Sequence, residues 1–221
     1  MRFLIGLPSV DNKANIDVIH SFLNQLDYIT RSGHFIQCAT ITNTLIHNAR
    51  NQIAKISKDY DYLFFLDSDC ILPIGTIEKL AGYDKDIVAG MYFQKKFPHW
   101  PVIYKINDKG TFDIITDYPQ NQLIEVGGVG MGCCLIKTSV FQKLEDEPFE
   151  PMAATPTCKA INGEDLAFCK RALQGGFKIY VDTGIQAAHV TERAINEEYY
   201  KKSIQALEER EKLKAQPHAE V

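Results

Sequence analysis

No apolar run in the 221-residue chain approaches the ~20 residues a membrane-spanning helix needs; the longest, such as Tyr62 to Leu66, are short enough to be buried strands. The opening stretch Met1 to Pro8 carries one positive residue and an apolar run broken at Pro8, too short for a signal peptide, and is expected to be a first strand. Basic residues are not in surplus. Lys and Arg total 24 against 28 Asp and Glu, a formal charge of -4, and the cations are scattered, so the electrostatic footprint of a nucleic-acid binder is missing. The six cysteines, Cys38, Cys70, Cys133, Cys134, Cys158 and Cys169, form no C-x-x-C pair. A core of this size needs no disulfide staples, which points to free buried thiols in a reducing compartment and a soluble, cytoplasmic protein. No repeat, low-complexity tract or Pro/Ser-rich linker divides the chain, which predicts one domain over residues 1–192 and a helical tail over 193–221.

What is present is an alternation of strand and helix signals. The chain is 45% apolar and 24% charged, ordinary for a protein that buries one core. Strand-like Phe3 to Leu7 is followed by Ile16, Ile19, Leu23, Leu26 and Ile29 at helical spacing, ending at Gly33. A second strand, Phe35 to Ile41, precedes a helix carrying Leu45, Ile46, Ala49, Ile53 and Ile56. The run Tyr62 to Leu66, ending in Asp67, reads as a strand buried on both faces, then a helix from about Pro73 to Gly82 and a strand Asp86 to Ala89. This pattern predicts an α/β fold, a mostly parallel sheet with helices on both faces. After residue 90 the character turns antiparallel. Pro101 to Ile106 and Thr111 to Ile115 flank a tight turn, and Leu123 to Val126 and Cys133 to Ile136 flank the glycine-rich Gly127 to Gly132. Glu164 to Leu173 reads as a helix, Lys178 to Asp182 and Gln186 to Val190 as strands, and Asn196 to Lys214 as a surface helix with a weak apolar stripe.

Three constellations carry chemistry. Asp67 and Asp69, with Ser68 between them, sit at the end of a buried strand, beyond whose carboxyl end ligands bind in open α/β sheets. Paired carboxylates there suit Mg2+ or Mn2+, completed by diphosphate oxygens and water; otherwise the motif is a turn or helix cap. Glu164 and Asp165 open a helix, where acids either cap amides or, for Asp165 first and Glu164 second, act as a general base toward an acceptor hydroxyl. His189 is a ligand only in company and a core residue otherwise. The glycines around Gly130 allow either close backbone approach to a donor sugar or bends in a sheet. They lack the G-x-x-x-x-G-K-[ST] pattern of a mononucleotide hydrolase. Tyr92 to Trp100, aromatic and basic, is either a wall for a sugar or a loop packed on the sheet. Cys70 is read as packing.

The order Leu66-Asp67-Ser68-Asp69, Gly128 to Ile136, Gly163-Glu164-Asp165 with Phe168 to Arg171, and Gly176 to Ile185 followed by His189 resembles GT-A-type, family 2-like glycosyltransferases over residues 2 to 192. That resemblance implies a metal-dependent transfer of a sugar from a UDP- or GDP-sugar to a glycan or other hydroxyl acceptor, preferably with inversion. It further implies Asp69 as a direct metal ligand and Asp67 on the donor ribose or on the metal through water. His189 would be the late metal ligand, Pro8 part of the nucleobase pocket, and Arg50 a group facing diphosphate or base. The alternatives are a nucleotidyltransferase, disfavoured by the lack of an early Gly-rich basic loop, and a non-catalytic nucleotide-sugar or carbohydrate-binding module.

Overall fold

The computed structural model describes residues 1–10, 13–144, 146–153, 163–191 and 194–215. Cys158 and the 192/193 boundary lie outside them. In chain order the first half comprises β1 (Arg2–Ser9), α1 (Ile16–Arg31), β2 (Phe35–Thr42), α2 (Ile46–Ile56), β3 (Tyr62–Leu66), β4 (Cys70–Ile71), α3 (Thr76–Gly82) and β5 (Ile87–Met91). The second half comprises β6 (Ile103–Ile106), β7 (Phe112–Ile114), β8 (Leu123–Val126), β9 (Gly128–Val129), β10 (Cys133–Lys137), α4 (Thr138–Phe141), α5 (Glu164–Gln174), β11 (Ile179–Gln186), β12 (Ala188–Val190), β13 (Ala194–Ile195) and α6 (Glu197–Ala215).

The main sheet has seven strands in the order β2-β1-β3-β10-β5-β11-β8. β1 pairs in parallel with β2 and β3, and β5 with β11, while β10 and β8 run against their neighbours. Five strands therefore share one direction, the mostly parallel sheet expected, and the antiparallel β6–β7 hairpin falls where the tight turn predicted it. Period-two alternation divides the core. Leu4, Leu63 and Phe65 join Phe149 and Phe168 on one face, while Phe3, Ile5, Phe64 and Leu66 pack with Ile29, Ile77 and Leu80 on the other. Helices α1 and α3 thus cover one face, and α5 with α2 the other.

Two expectations need correction. Of the expected stripe Ile29 is buried, but Ile16, Ile19 and Leu23 are exposed, and Val18, Ser21 and Gln25 are buried in their place. The polar members are drawn in by backbone: Ser21 Oγ donates to Leu72 O at 3.1 Å and Gln25 Nε2 to Pro73 O at 2.6 Å, satisfying carbonyls of the β4–α3 link that apolar side chains could not. The helix expected from Pro73 starts only at Thr76, because Gly75 adopts φ +76 and breaks the first turn.

Gly6 lets α2 approach the sheet. A Cβ there would stand 2.6 Å from Ile53 Cγ2 and 3.1 Å from the Phe65 ring, with backbone fixed by pairing on both sides. Gly6→Ala is expected to cost about 1–3 kcal/mol by overpacking, read from urea midpoints. A shift below roughly 0.5 kcal/mol would mean that α2 retreats freely.

Candidate functional site

A cavity of about 360 Å³ opens at the carboxyl ends of β1 and β3, lined by Pro8, Ser9, Arg50, Asp67, Ser68, Asp69, Glu164, Asp165 and His189. β2 lies on one side of β1 and β3 on the other, so the chain reverses its direction across the sheet here, the position where open α/β sheets bind ligands. Its volume falls within the range of small-molecule sites. A larger hollow of about 490 Å³ near Lys55, Phe141 and Leu144 gathers no cluster of acids. A smaller one of about 300 Å³, with Leu7, Phe22, Thr40 and Thr42 in its walls, meets the cavity at Ser9 and Ser68.

β3 ends at Leu66, and Asp67 to Asp69 form a turn in which Cys70 N–H donates to Asp67 O at 3.1 Å. Both aspartates therefore lie beyond the strand, and their carboxylates serve different partners. Asp67 points to Arg50, and Asp69 points to His189. What joins Asp69 to His189, 120 positions later, is a three-stranded sheet of β13, β12 and β4 too short to read in the sequence. It pairs His189 with Cys70, and Val190 N–H donates to Asp69 O at 2.7 Å.

His189 Nδ1 lies 2.8 Å from Phe93 O, so this nitrogen carries a proton and the ring is held with Nε2 facing Asp69 Oδ1 at 3.3 Å. A backbone carbonyl on the far nitrogen is the usual orienting partner of a metal-ligating histidine. Ligand atoms of Asp69, Cys70 and His189 all lie within 4.8 Å of one another. Burial works against ionising Asp69, but the bonds from His189 and Lys95 outweigh it and lower its carboxyl to about 2. The residues thus fit a cation through a carboxylate that stays ionised and an oriented imidazole, while burial keeps the neighbouring Cys70 thiol protonated.

Arg50, on α2, is almost wholly buried with its guanidinium over the Phe65 ring at 5.6 Å. Nη2 donates to Asp67 Oδ1 at 2.9 Å, Nη1 lies 2.9 Å from Asp165 Oδ1, and Nε is 3.7 Å from Glu164 Oε1. Only the Asp67 contact has hydrogen-bond alignment, and Nη1, Nε and Asp165 Oδ1 are buried without an aligned partner. The Asp165 contact is therefore ionic attraction without a formed hydrogen bond. Arg50 reaches the cavity, but through carboxylates. Asp165 Oδ2 accepts from Met131 N–H at 3.1 Å. Burial pushes its carboxyl up to about 7; Arg50 opposes this, while Glu164 and Asp67 add to it. Asp67 is raised too, first by burial, with Arg50 pulling it back. Asp67, Asp69, Glu164 and Asp165 thus share the site with two permanent cations, Arg50 and Lys95, so carboxylates outnumber fixed positive groups.

The glycine-rich segment has an internal cause. A Cβ on Gly130 would collide with the Tyr92 hydroxyl and stand 2.7 Å from Val102, and one on Gly132 would lie 2.9 Å from Asp67 Oδ2 and Cys70 Sγ. Gly132 N–H donates to Tyr92 Oη at 3.2 Å, and Gly132 O accepts from Asp67 N–H at 3.4 Å. These glycines let a strand crossing pass over a buried tyrosine and pin the Asp67 turn, so the bend reading accounts for Gly130, and it is not among the cavity's lining residues. Tyr92 and Lys95 act on the site and were not singled out from the sequence; only their membership of a loop rich in aromatic and basic groups marked them. In that loop Phe93 is buried and stacks on Tyr200 at 5.1 Å, and Trp100 packs on the same ring at 6.2 Å, so α6 is anchored to the domain. Cys70 is buried as expected, yet it is also part of the Asp69–His189 cluster. Among the described cysteines all are free, but Cys38 is exposed, on an edge strand.

Against solved structures, the chain matches A197 from STIV at 21% identity with a TM-score of 0.59, covering 86% of each chain. It matches GalNAc-T7, solved with UDP, GalNAc and Mn2+, at 12% identity and TM-score 0.59, over 86% of this chain and 44% of that one. The fold is GT-A-like. The chain therefore spans less than half of GalNAc-T7, and at these identities the likeness shows the fold alone. No protein-family model matches the chain, and no curated protein does. Among the described residues no helix is long and apolar enough to cross a membrane.

Proposed function

We propose that the chain is a metal-dependent glycosyltransferase that moves a sugar from a nucleotide-diphosphate sugar, UDP- or GDP-linked, to a hydroxyl of a glycan or other acceptor, with inversion. The observation that carries this reading is the meeting of Asp69, the carbonyl-oriented His189 and three further carboxylates in one cavity at the switch point of a GT-A-like sheet. Asp69 and His189 would hold Mn2+ or Mg2+, with Asp67 contacting it through water or holding the donor ribose. When bound, the cation supplies charge neutralisation to the departing nucleoside diphosphate.

The chain's own residues do the rest. Asp165 takes the acceptor hydroxyl proton at the cavity wall, with Glu164 as its neighbour, and a single base suits a single displacement and hence inversion. Arg50 positions Asp67 and Asp165 against each other's repulsion. Pro8 and Ser68 line the donor end, where the adjoining hollow offers apolar walls and threonine hydroxyls to a nucleobase. Free thiols accord with a cytoplasmic location.

Incubation with Mn2+ and a panel of nucleotide sugars should release a nucleoside diphosphate, and Asp69→Ala should abolish the release. Turnover that persists in Asp69→Ala would remove the metal assignment. Pyrophosphate released from a nucleoside triphosphate would replace glycosyl transfer with nucleotidyl transfer, and donor binding without turnover would leave a binding module.

A further inference from the structure

The two oxygens of Asp69 are both engaged. Oδ1 faces His189 Nε2 at 3.3 Å, and Oδ2 accepts from the ammonium of Lys95. Lys95 stands on a loop whose feet are fixed. Gln94 N–H donates to Trp100 O at 2.8 Å, Phe93 bridges to Pro101, and Phe93 is clamped between His189, through its carbonyl, and Tyr200. The ammonium is therefore delivered to Asp69 by the same backbone that orients His189. It occupies the position of a ligand on the carboxylate that faces His189.

We propose that Lys95 is a built-in counter-ion of the cation site: its ammonium holds Asp69 until a divalent cation arrives, and the two compete for that carboxylate. A cation bound by Asp69 and His189 would sit within a few ångströms of the ammonium, and like charges at that distance repel strongly. The lysine gives way because its four-carbon stem is flexible and the ion pair is over a third exposed. Once displaced, the ammonium has lost its carboxylate beside the cavity proposed to take the donor, so cation capture becomes easier when a diphosphate is there to receive it. This inference rests on the cation site of the proposed function and deepens it, since it names the residue that sets the site's affinity.

The test is calorimetric titration of Mn2+, without donor, into wild type, Lys95→Met, Lys95→Gln and Lys95→Arg, with Asp69→Asn as control. The neutral variants should bind Mn2+ about fivefold more tightly than wild type, the scale of a part-exposed ion pair, and Lys95→Arg should stay near wild type. A second readout is emission of Trp100, the only tryptophan, which closes the same loop. Titration with Mg2+ should change it in wild type and leave it unmoved in Lys95→Met. If Asp69→Asn abolishes Mn2+ binding but the neutral variants bind no more tightly than wild type, Lys95 is not a competitor and the cation site stands without it. If wild-type binding is absent, or survives in Asp69→Asn, both the cation site and this inference fall.

Discussion

Asp165→Asn should lower turnover by about 10²–10⁴-fold, the usual contribution of a positioned base, while the melting temperature at pH 8 holds or rises. The variant keeps an acceptor for Met131 N–H and leaves Arg50 its aligned partner Asp67. It removes a carboxylate whose ionisation the fold resists, since burial raises the group to about 7. The sign follows from proton counting. Between roughly pH 4 and 7 the unfolded chain has lost this proton and the native state still holds it, so stability falls as pH rises through that window and stays reduced above it. The asparagine variant is relieved of that loss. The same raised group fixes the pH profile of the wild type: the base works deprotonated, so turnover should climb through about pH 7 and level off above. Turnover within threefold of wild type in Asp165→Asn would assign the proton transfer elsewhere, with Glu164 next to examine. A fall of many degrees in melting temperature would instead make Asp165 a structural partner of Arg50.

The sequence made the scaffold legible where periodicity was long and its cause local. Tyr62 to Leu66 is apolar at every position and became the buried centre of the sheet; Asn107 to Gly110 carried its own turn chemistry and became the hairpin. The face of α1 was misread because an apolar stripe marks burial only when the sheet offers nothing polar. Here two carbonyls beyond β4 claimed Ser21 and Gln25 and rotated Ile16 and Ile19 outward. At the site, position at a strand or helix end singled out Asp69 and Asp165, and His189 was singled out only in their company; all three line the cavity. Roles set by long-range pairing were hidden. No local pattern announces that β4 and β12 zip His189 onto the Asp69 turn, that Tyr92 dictates the size of residue 130, or that Lys95 reaches across to a carboxylate 26 positions earlier. Arg50 was marked as a site residue, yet its engagement with three acids follows only from burial, which makes a cation that would otherwise seek an external anion settle for internal ones.

Arg50→Met should destabilise the folded state by about 3–5 kcal/mol at pH 8, because it strips the shared counter-ion from three acids that are mostly buried. For a chain of this length that is a fall of roughly 10 °C in melting temperature. Methionine fills much of the space over Phe65, so the loss is electrostatic more than steric. The loss should also depend on pH. With the guanidinium gone, Asp67 and Asp165 are pushed further up than they already are, and protonation at pH 5 relieves their repulsion. Urea midpoints of variant and wild type should therefore converge as pH falls from 8 to 5. Arg50→Lys should lie between them, since a single ammonium cannot present separate nitrogens to Asp67, Asp165 and Glu164. A loss below about 1 kcal/mol, or one that does not change with pH, would contradict the role of Arg50 as shared counter-ion. Arg50 matters for the chemistry because it lets Asp67 and Asp165 stand together beside the proposed cation site.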